Sequence, residues 1–150
     1  MEGNSCYKLS ANRLLSLMGK ADSDLCSFCG TEAENLYHLF WECAVTSTFI
    51  LEVERVVLSK QFFFSKEDFL LGYGKGGCHP YNFLILHMKY FIFDSKRNNR
   101  KPNINDFFYK FKASLKRARF NSGRILTTNK KRVNFEQLFN AFSLCYDLFN

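Results

Sequence analysis

The sequence lacks the motifs that identify common classes of enzyme. It contains no aromatic-x-Asp-Asp pair of a polymerase, no endonuclease motif, and no Ser-His-Asp or Cys-His arrangement for nucleophilic catalysis. The glycine-rich run at residues 72–77, GYGKGG, lacks the order GxxxxGK[ST] and a preceding strand, so we interpret it as a turn and not as a phosphate loop. We therefore expect a protein that is not an enzyme.

A secretory leader and a membrane span are also missing. The first five residues, MEGNS, are polar and do not lead into an apolar core. The most apolar stretch, residues 83–93, is too short to cross a bilayer and contains His87 and Lys89, which indicates a buried helix. We therefore expect an intracellular protein, nuclear or cytoplasmic, that is not secreted and has no membrane partner.

The feature that carries most information is the run Cys-x2-Cys-x8-His-x4-Cys. Three thiolates and one imidazole form a complete tetrahedral ligand set, and a site with four protein ligands leaves no position for a reacting water. The spacing of Thr31 and Glu34 fits a capping box, which predicts a helix over residues 32–42. We therefore predict one structural Zn2+ ion, held by Cys26, Cys29, His38 and Cys43.

Two other interpretations of these residues remain open. Free cysteines are among the most buried residue types, so the three could be core residues beside a surface histidine. A CxxC pair can also be a redox centre, although that motif usually accompanies a βαβ pattern, which this sequence does not show. The remaining cysteines, Cys6, Cys78 and Cys145, are odd in number, which argues against a disulfide framework.

Residues 25–43, LCSFCGTEAENLYHLFWEC, resemble the zinc-binding domain that follows the reverse transcriptase of LINE-type (non-LTR) retrotransposons. The pattern of that family is C-x-x-C, an acidic residue four before the histidine, and H-L-F/L-x-x-C. The matching positions are Glu34, His38, Leu39, Phe40 and Cys43. Residues 12–19 resemble the short lead-in helix of the same domain, and the whole resemblance covers about residues 8–60. It implies a truncated or derived retroelement product that helps to hold template RNA or target DNA, within a larger retroelement protein complex.

Hydrophobic periodicity predicts a mainly α fold, with a small zinc-stapled CCHC knuckle within a helical domain, followed by amphipathic helices. We divide the chain into a zinc-binding module at residues 8–60, a helical continuation at 61–97 and basic C-terminal helices at 104–150. A polar, basic linker is predicted at 95–103 and a second one from Arg124 to Arg132. The predicted helices cover residues 9–18, 32–42, 44–58, 81–96, 104–120 and 134–149, with a further start at Ser65.

Charge is distributed unevenly along the chain. Residues 1–60 hold five Lys or Arg against eight Asp or Glu, whereas residues 101–150 hold ten against three. Such a gradient predicts a polyanionic partner for the C-terminal part, although a solvated helix face would have the same composition.

We therefore predict binding of RNA or single-stranded DNA. Phe28 and Trp41 lie close to the ligands and are candidates for stacking on unpaired bases. Phosphate contacts are expected from Lys110, Lys112, Lys116, Arg117 and Arg119. The alternative is a zinc-stapled helical module whose aromatic face binds protein.

Overall fold

The computed structural model describes residues 11–57, 63–74 and 80–125, with side chains described as far as residue 118 in the last range. Its helices are α1 (Asn12–Leu17), α2 (Ala44–Val57), α3 (Lys66–Leu71), α4 (Pro80–Arg97) and α5 (Ile104–Ile125), with a π-helical turn at His38–Glu42 before α2. The described residues contain no strand, only one isolated bridge between Leu25 and Ala33. The mainly α prediction is therefore confirmed.

Three predicted helices agree closely with the structure. Those at residues 44–58, 81–96 and 104–120 correspond to α2, α4 and α5, although α5 continues through Arg124, where a second linker was predicted to begin. The predicted helix at 134–149 lies outside the described residues. None of the described helices has both the length and the apolarity that a bilayer crossing requires.

Aromatic rings from three helices form the centre of the core. On α5, Phe107, Phe108 and Phe111 are almost fully buried, together with Leu115, as their helical spacing predicts. The Phe107 ring lies edge-on to Phe49 of α2 and to Phe91 of α4, with both pairs of ring centroids 5.5 Å apart. Ring pairs of this geometry contribute about 0.5–1.5 kcal/mol each beyond their buried area. The cluster therefore fixes α2, α4 and α5 against one another.

In the segment that we predicted as a linker, residues 95–97 belong to the end of α4 and residues 98–103 form the turn that connects it to α5. Buried Asp94 accepts hydrogen bonds from Lys110 at 2.8 Å and from Asn98, and also faces Arg97 and Arg100. The Lys110 ammonium holds the pKa of Asp94 below its ordinary value, although partial burial opposes it. Residues 98–103 therefore connect the two helices, and a carboxylate just before the basic run binds its cations and closes this turn.

Residue Asn103 begins the last helix. Its side-chain oxygen accepts hydrogen bonds from the backbone N–H groups of Asn105 at 2.9 Å and Asp106 at 3.2 Å. These are N–H groups that a helix start leaves without partners, so Asn103 acts as the N-cap of α5.

A buried carboxylate, Glu34, joins three separate parts of the chain. One oxygen accepts a hydrogen bond from the backbone N–H of Asn12, at the start of α1, and the other from that of Ser27, which lies in the CxxC segment. Both distances are 2.9 Å. Lys96, near the end of α4, forms an ion pair with the same carboxylate. Burial alone would raise the pKa of Glu34, but Lys96 and the two N–H groups outweigh burial and lower it.

We expect Glu34→Gln to destabilise the fold by about 3–5 kcal/mol, because removing one partner of a buried ion pair leaves the other charge uncompensated. The amide nitrogen would also face one of the two backbone N–H donors. The measurement is the free energy of unfolding in denaturant, with metal saturating. The control is Glu52→Gln on the exposed side of α2, which should shift it by no more than about 0.5 kcal/mol. Equal unfolding free energies for the two variants would contradict the role assigned to Glu34.

Candidate metal centre

The first two predicted ligands, Cys26 and Cys29, lie on a tight turn whose backbone is fixed by local hydrogen bonds. The N–H of Cys26 donates to the carbonyl of Glu32 at 2.8 Å, and the N–H of Gly30 donates to the carbonyl of Cys26 at 2.9 Å. Gly30 has a φ of 68°, a left-handed conformation that glycine adopts without strain. The turn therefore folds back on itself and brings the two thiols to one side.

The other two ligands are brought together by the π-helical turn. On an α-helix a separation of five residues would place His38 and Cys43 about 140° apart. In this turn the N–H of Cys43 donates to the carbonyl of His38 at 2.8 Å, which is the i to i+5 bond of a π-helix. The two side chains therefore project to the same side of the segment.

The predicted capping box at Thr31 and Glu34 is wrong. The Glu34 side chain is committed to Asn12, Ser27 and Lys96, and no helix begins at residue 32. The side-chain oxygen of Asn35 instead accepts a hydrogen bond from the N–H of His38 at 2.7 Å and caps the short helical segment that follows.

The four ligand atoms lie within 4.8 Å of one another, and they are the only such group of ligands found among the described residues. The sulfurs of Cys26 and Cys43 are 3.8 Å apart, and the Cys29 sulfur lies 3.4 Å from His38 Nε2. Metal–sulfur bonds of about 2.3 Å place two thiolates of a tetrahedral ion about 3.8 Å apart, and a thiolate and an imidazole about 3.5 Å apart. The residues therefore fit a single metal ion at their centre.

The distance of 3.8 Å between the sulfurs of Cys26 and Cys43 also excludes a disulfide between these two residues. A disulfide bond is about 2.05 Å long, and all three cysteines of the site are free. His38 and Cys43 lie beside both thiols of the CxxC pair, which is the arrangement of a four-ligand metal site.

The histidine presents a defined nitrogen to the site. Its Nε2 faces Cys29, while Nδ1 lies 3.4 Å from the Glu32 carboxylate on the side away from the thiols. A carboxylate beside the outer nitrogen of a ligating histidine favours the tautomer whose inner nitrogen is free to bind metal. The orientation of His38 is therefore that of a ligand, and not that of a surface residue, since the side chain is buried.

The thiols differ in how easily they ionise. Burial raises the pKa of Cys26 to about 12, although the backbone N–H groups of Cys29 and Phe28 oppose it. Burial acts in the same direction on Cys29, but hydrogen bonds from Thr31, the Glu32 backbone and His38 outweigh it and lower the pKa to about 6. A metal ion must therefore displace a proton from Cys26, and metal affinity is expected to fall as the pH is lowered.

No protein-family model, curated protein or solved structure matches this chain. The resemblance to the LINE-type domain therefore remains a prediction that depends on residues 8–60 alone.

The two predicted stacking rings do not behave alike. Phe28 is only 6% exposed and packs in the core, so its ring offers no face to a base, and we correct that prediction. Trp41 is half-buried, and its ring lies 5.6 Å from that of Phe69. Its free surface is therefore limited to one side.

The predicted cations on α5 are also in different environments. Lys110 is ion-paired with Asp94 and lies over the Phe91 ring, which makes it part of the α4–α5 turn. Lys116 and Arg117 are exposed, Lys112 is half-buried, and Arg117 contacts Ser114 at 3.3 Å. The side chain of Arg119 lies outside the described part of the chain.

An exposed ring that the sequence analysis did not select lies among these cations. Tyr109 is 80% exposed on α5 and is followed at helical spacing by Lys112 and Lys116. Its exposure could have been predicted from helical periodicity, since Tyr109 does not lie on the apolar face formed by Phe107, Phe108 and Phe111.

We expect His38→Ala and Cys29→Ser each to release the bound metal to a chelator, since the loss of one of four protein ligands weakens its binding. The N-terminal part should then unfold more readily, because structural zinc can supply about 10 kcal/mol or more in small modules. Metal content per chain, measured after dialysis against a weak chelator, tests the prediction. Cys145→Ser is the cysteine control and should keep its metal. An unchanged one-to-one metal content in both ligand variants would refute the assignment.

Proposed function

We propose that this chain is a non-catalytic zinc-binding accessory domain that binds RNA or single-stranded DNA. The observation that carries the proposal is the set of cations on and just before α5 that face solvent: Lys101, Lys116 and Arg117 are exposed, and Lys112 is half-buried. The metal centre and the aromatic core give this basic surface a rigid support, and Tyr109 places an exposed ring within it. Single-stranded nucleic acids are typically held by this combination of cations and stacking rings.

We assign the metal as Zn2+ and its role as structural. Three thiolates and one imidazole at tetrahedral spacing are a ligand set that zinc prefers, and among the described residues no further His, Cys, Asp or Glu belongs to the group. The resemblance of residues 8–60 supports an origin in a LINE-type retroelement protein. On that basis the domain would work inside the cell, in the nucleus or cytoplasm, within a larger retroelement complex.

The test is binding of a fluorescent oligouridylate to the zinc-loaded chain across a salt series. We expect replacement of Lys112, Lys116 and Arg117 by Gln to weaken binding and to reduce the slope of log K against log salt by about 2, because each lost phosphate contact accounts for about 0.7. Tyr109→Leu should weaken binding by about 1–3 kcal/mol if the ring stacks on one base.

The charge-matched control replaces three exposed cations elsewhere, Arg13, Lys20 and Arg55, by Gln. This variant should keep the affinity and most of the salt slope of the original chain. Metal content and the unfolding midpoint are measured for every variant, so that loss of fold is recognised. Equal losses in the two triple variants would remove α5 as the binding surface, and absence of binding at low salt would overturn the proposal.

A second candidate function, a protein-interaction module, is favoured by an apolar groove between α4 and the π-helical turn. A cavity of about 520 Å3 lies between the π-helical turn and α4, lined mainly by Leu36, Tyr37, Phe40, Leu86, Tyr90 and Phe93. Two further cavities, of about 490 and 470 Å3, share residues with it and extend it to α1 and to the end of α3. Leu17, Leu71 and Leu86 are each more than 60% exposed along this surface, an arrangement that often marks an interaction site.

The charges around this groove indicate its partner. Among the described residues, the charged ones that line the three cavities are Arg13 and Lys89, and Lys66 lies over the Tyr37 ring. Because all three are positive, the groove would accept an amphipathic helix whose apolar face is flanked by acidic residues.

The probe for this function is a designed peptide with Leu at helical spacing and Glu at its other positions, compared with its Lys-containing counterpart. We expect the acidic peptide alone to bind, and Leu86→Glu to weaken it at least tenfold. Leu51→Glu, which changes an exposed leucine on another face, should leave binding unchanged. Equal binding of the acidic and basic peptides, or no effect of Leu86→Glu, would contradict this function.

A further inference from the structure

A small cavity beside α2 is lined by the buried carboxylate residue Glu54, which is not a ligand of the metal centre. The cavity has a volume of about 230 Å3 and lies between α2, the π-helical turn and residues 63–64. Three aromatic residues line it, Trp41, Phe63 and Phe64, together with Leu51 and Glu54. Leu51 and Phe63 are its exposed members, so the cavity opens to solvent between them.

The carboxylate of Glu54 is only partly satisfied. Its side chain is almost fully buried, at 2% exposure, and Oε1 accepts a hydrogen bond from the backbone N–H of Phe64 at 2.8 Å. Oε2 receives no hydrogen bond from the described residues, and Glu54 is one of the residues that line the cavity. Among the described residues, no Lys, Arg or His lines the cavity, and none of them provides a counterion for this group.

An uncompensated carboxylate in apolar surroundings is unfavourable. Burial accordingly raises the pKa of Glu54, with only the Phe64 N–H acting against it. A cation inside the cavity would offset this cost, and the faces of aromatic rings attract organic cations for the same electrostatic reason. A metal ion is a poorer fit, because a hard cation needs several oxygen ligands and this cavity offers one carboxylate.

We propose that the cavity lined by Trp41, Glu54, Phe63 and Phe64 binds a small organic cation of the alkylammonium class. Its volume is below the range of about 300–1,000 Å3 that holds drug-sized ligands, which suits a single ammonium group and its methyl substituents. Glu54 Oε2 faces the charge, and the rings surround the alkyl groups. The same chemistry is offered by a free quaternary ammonium compound and by a lysine side chain of a polypeptide.

The single tryptophan of the chain lies in this cavity, so its fluorescence reports on binding directly. The zinc-loaded full chain is titrated with tetramethylammonium chloride, with sodium chloride at equal ionic strength, and with tert-butanol as a neutral molecule of similar size. We expect a saturable change with tetramethylammonium only. A titration with Nα-acetyl-lysine methylamide, which keeps its charged Nε ammonium group, distinguishes a lysine side chain from a free quaternary ammonium compound. The probe that binds more tightly identifies the preferred source of the cation.

Glu54→Gln should weaken tetramethylammonium binding at least tenfold, since the amide keeps an acceptor for the Phe64 N–H but carries no charge. Glu52→Gln, on the exposed side of the same helix, should bind as the original chain does. Phe63→Leu, at a half-exposed position, gives a second test if Glu54→Gln fails to fold, and should weaken binding several-fold. The proposal is overturned by an absence of saturable binding to either ammonium probe, by equal affinity in Glu54→Gln, or by tert-butanol binding as tightly.

Discussion

The constraint on which the rest of the N-terminal structure depends is that four ligand atoms from two separate segments must meet at one point. The CxxC turn and the π-helical turn each bring two ligands to one side, but neither element fixes its position relative to the other. Glu34 supplies that connection, because its carboxylate holds the backbone between the cysteines, the start of α1 and the end of α4 together. A buried carboxylate with three donors is costly to disrupt, and the same group therefore positions the metal site and attaches it to the helical core.

The carboxylates of Glu34 and Asp94 form ion pairs that attach α4 to its neighbours. Glu34 binds Lys96 on the side of the metal centre, while Asp94 binds Lys110 and closes the turn into α5. Lys96 and Lys110 thus form ion pairs within the fold, whereas Lys116 and Arg117 lie exposed on α5. A count of cations along the sequence therefore overstates the charge that this surface offers to a polyanion. Lys110, for example, is ion-paired with Asp94 within the fold.

The ligand set and the long helices could be predicted from the sequence because both depend on local spacing. Apolar periodicity places α2, α4 and α5 within a few residues, and the distances between Cys26, Cys29, His38 and Cys43 along the chain select a metal site. The function of Glu34 could not be predicted in the same way, since a capping box and a long-range ion pair share one local pattern and Lys96 lies 62 residues away. The burial of Phe28 and the pairing of Lys110 with Asp94 also depend on tertiary contacts, which local pattern does not contain.

X-ray absorption at the zinc edge of the purified, metal-loaded chain tests the central claim most directly, since it counts the ligand atoms and measures their distances. The account predicts one ion with three sulfur neighbours at about 2.3 Å and one nitrogen neighbour at about 2.0 Å, without a bound water. A coordination shell of oxygen atoms, or one with fewer than three sulfurs, would contradict it.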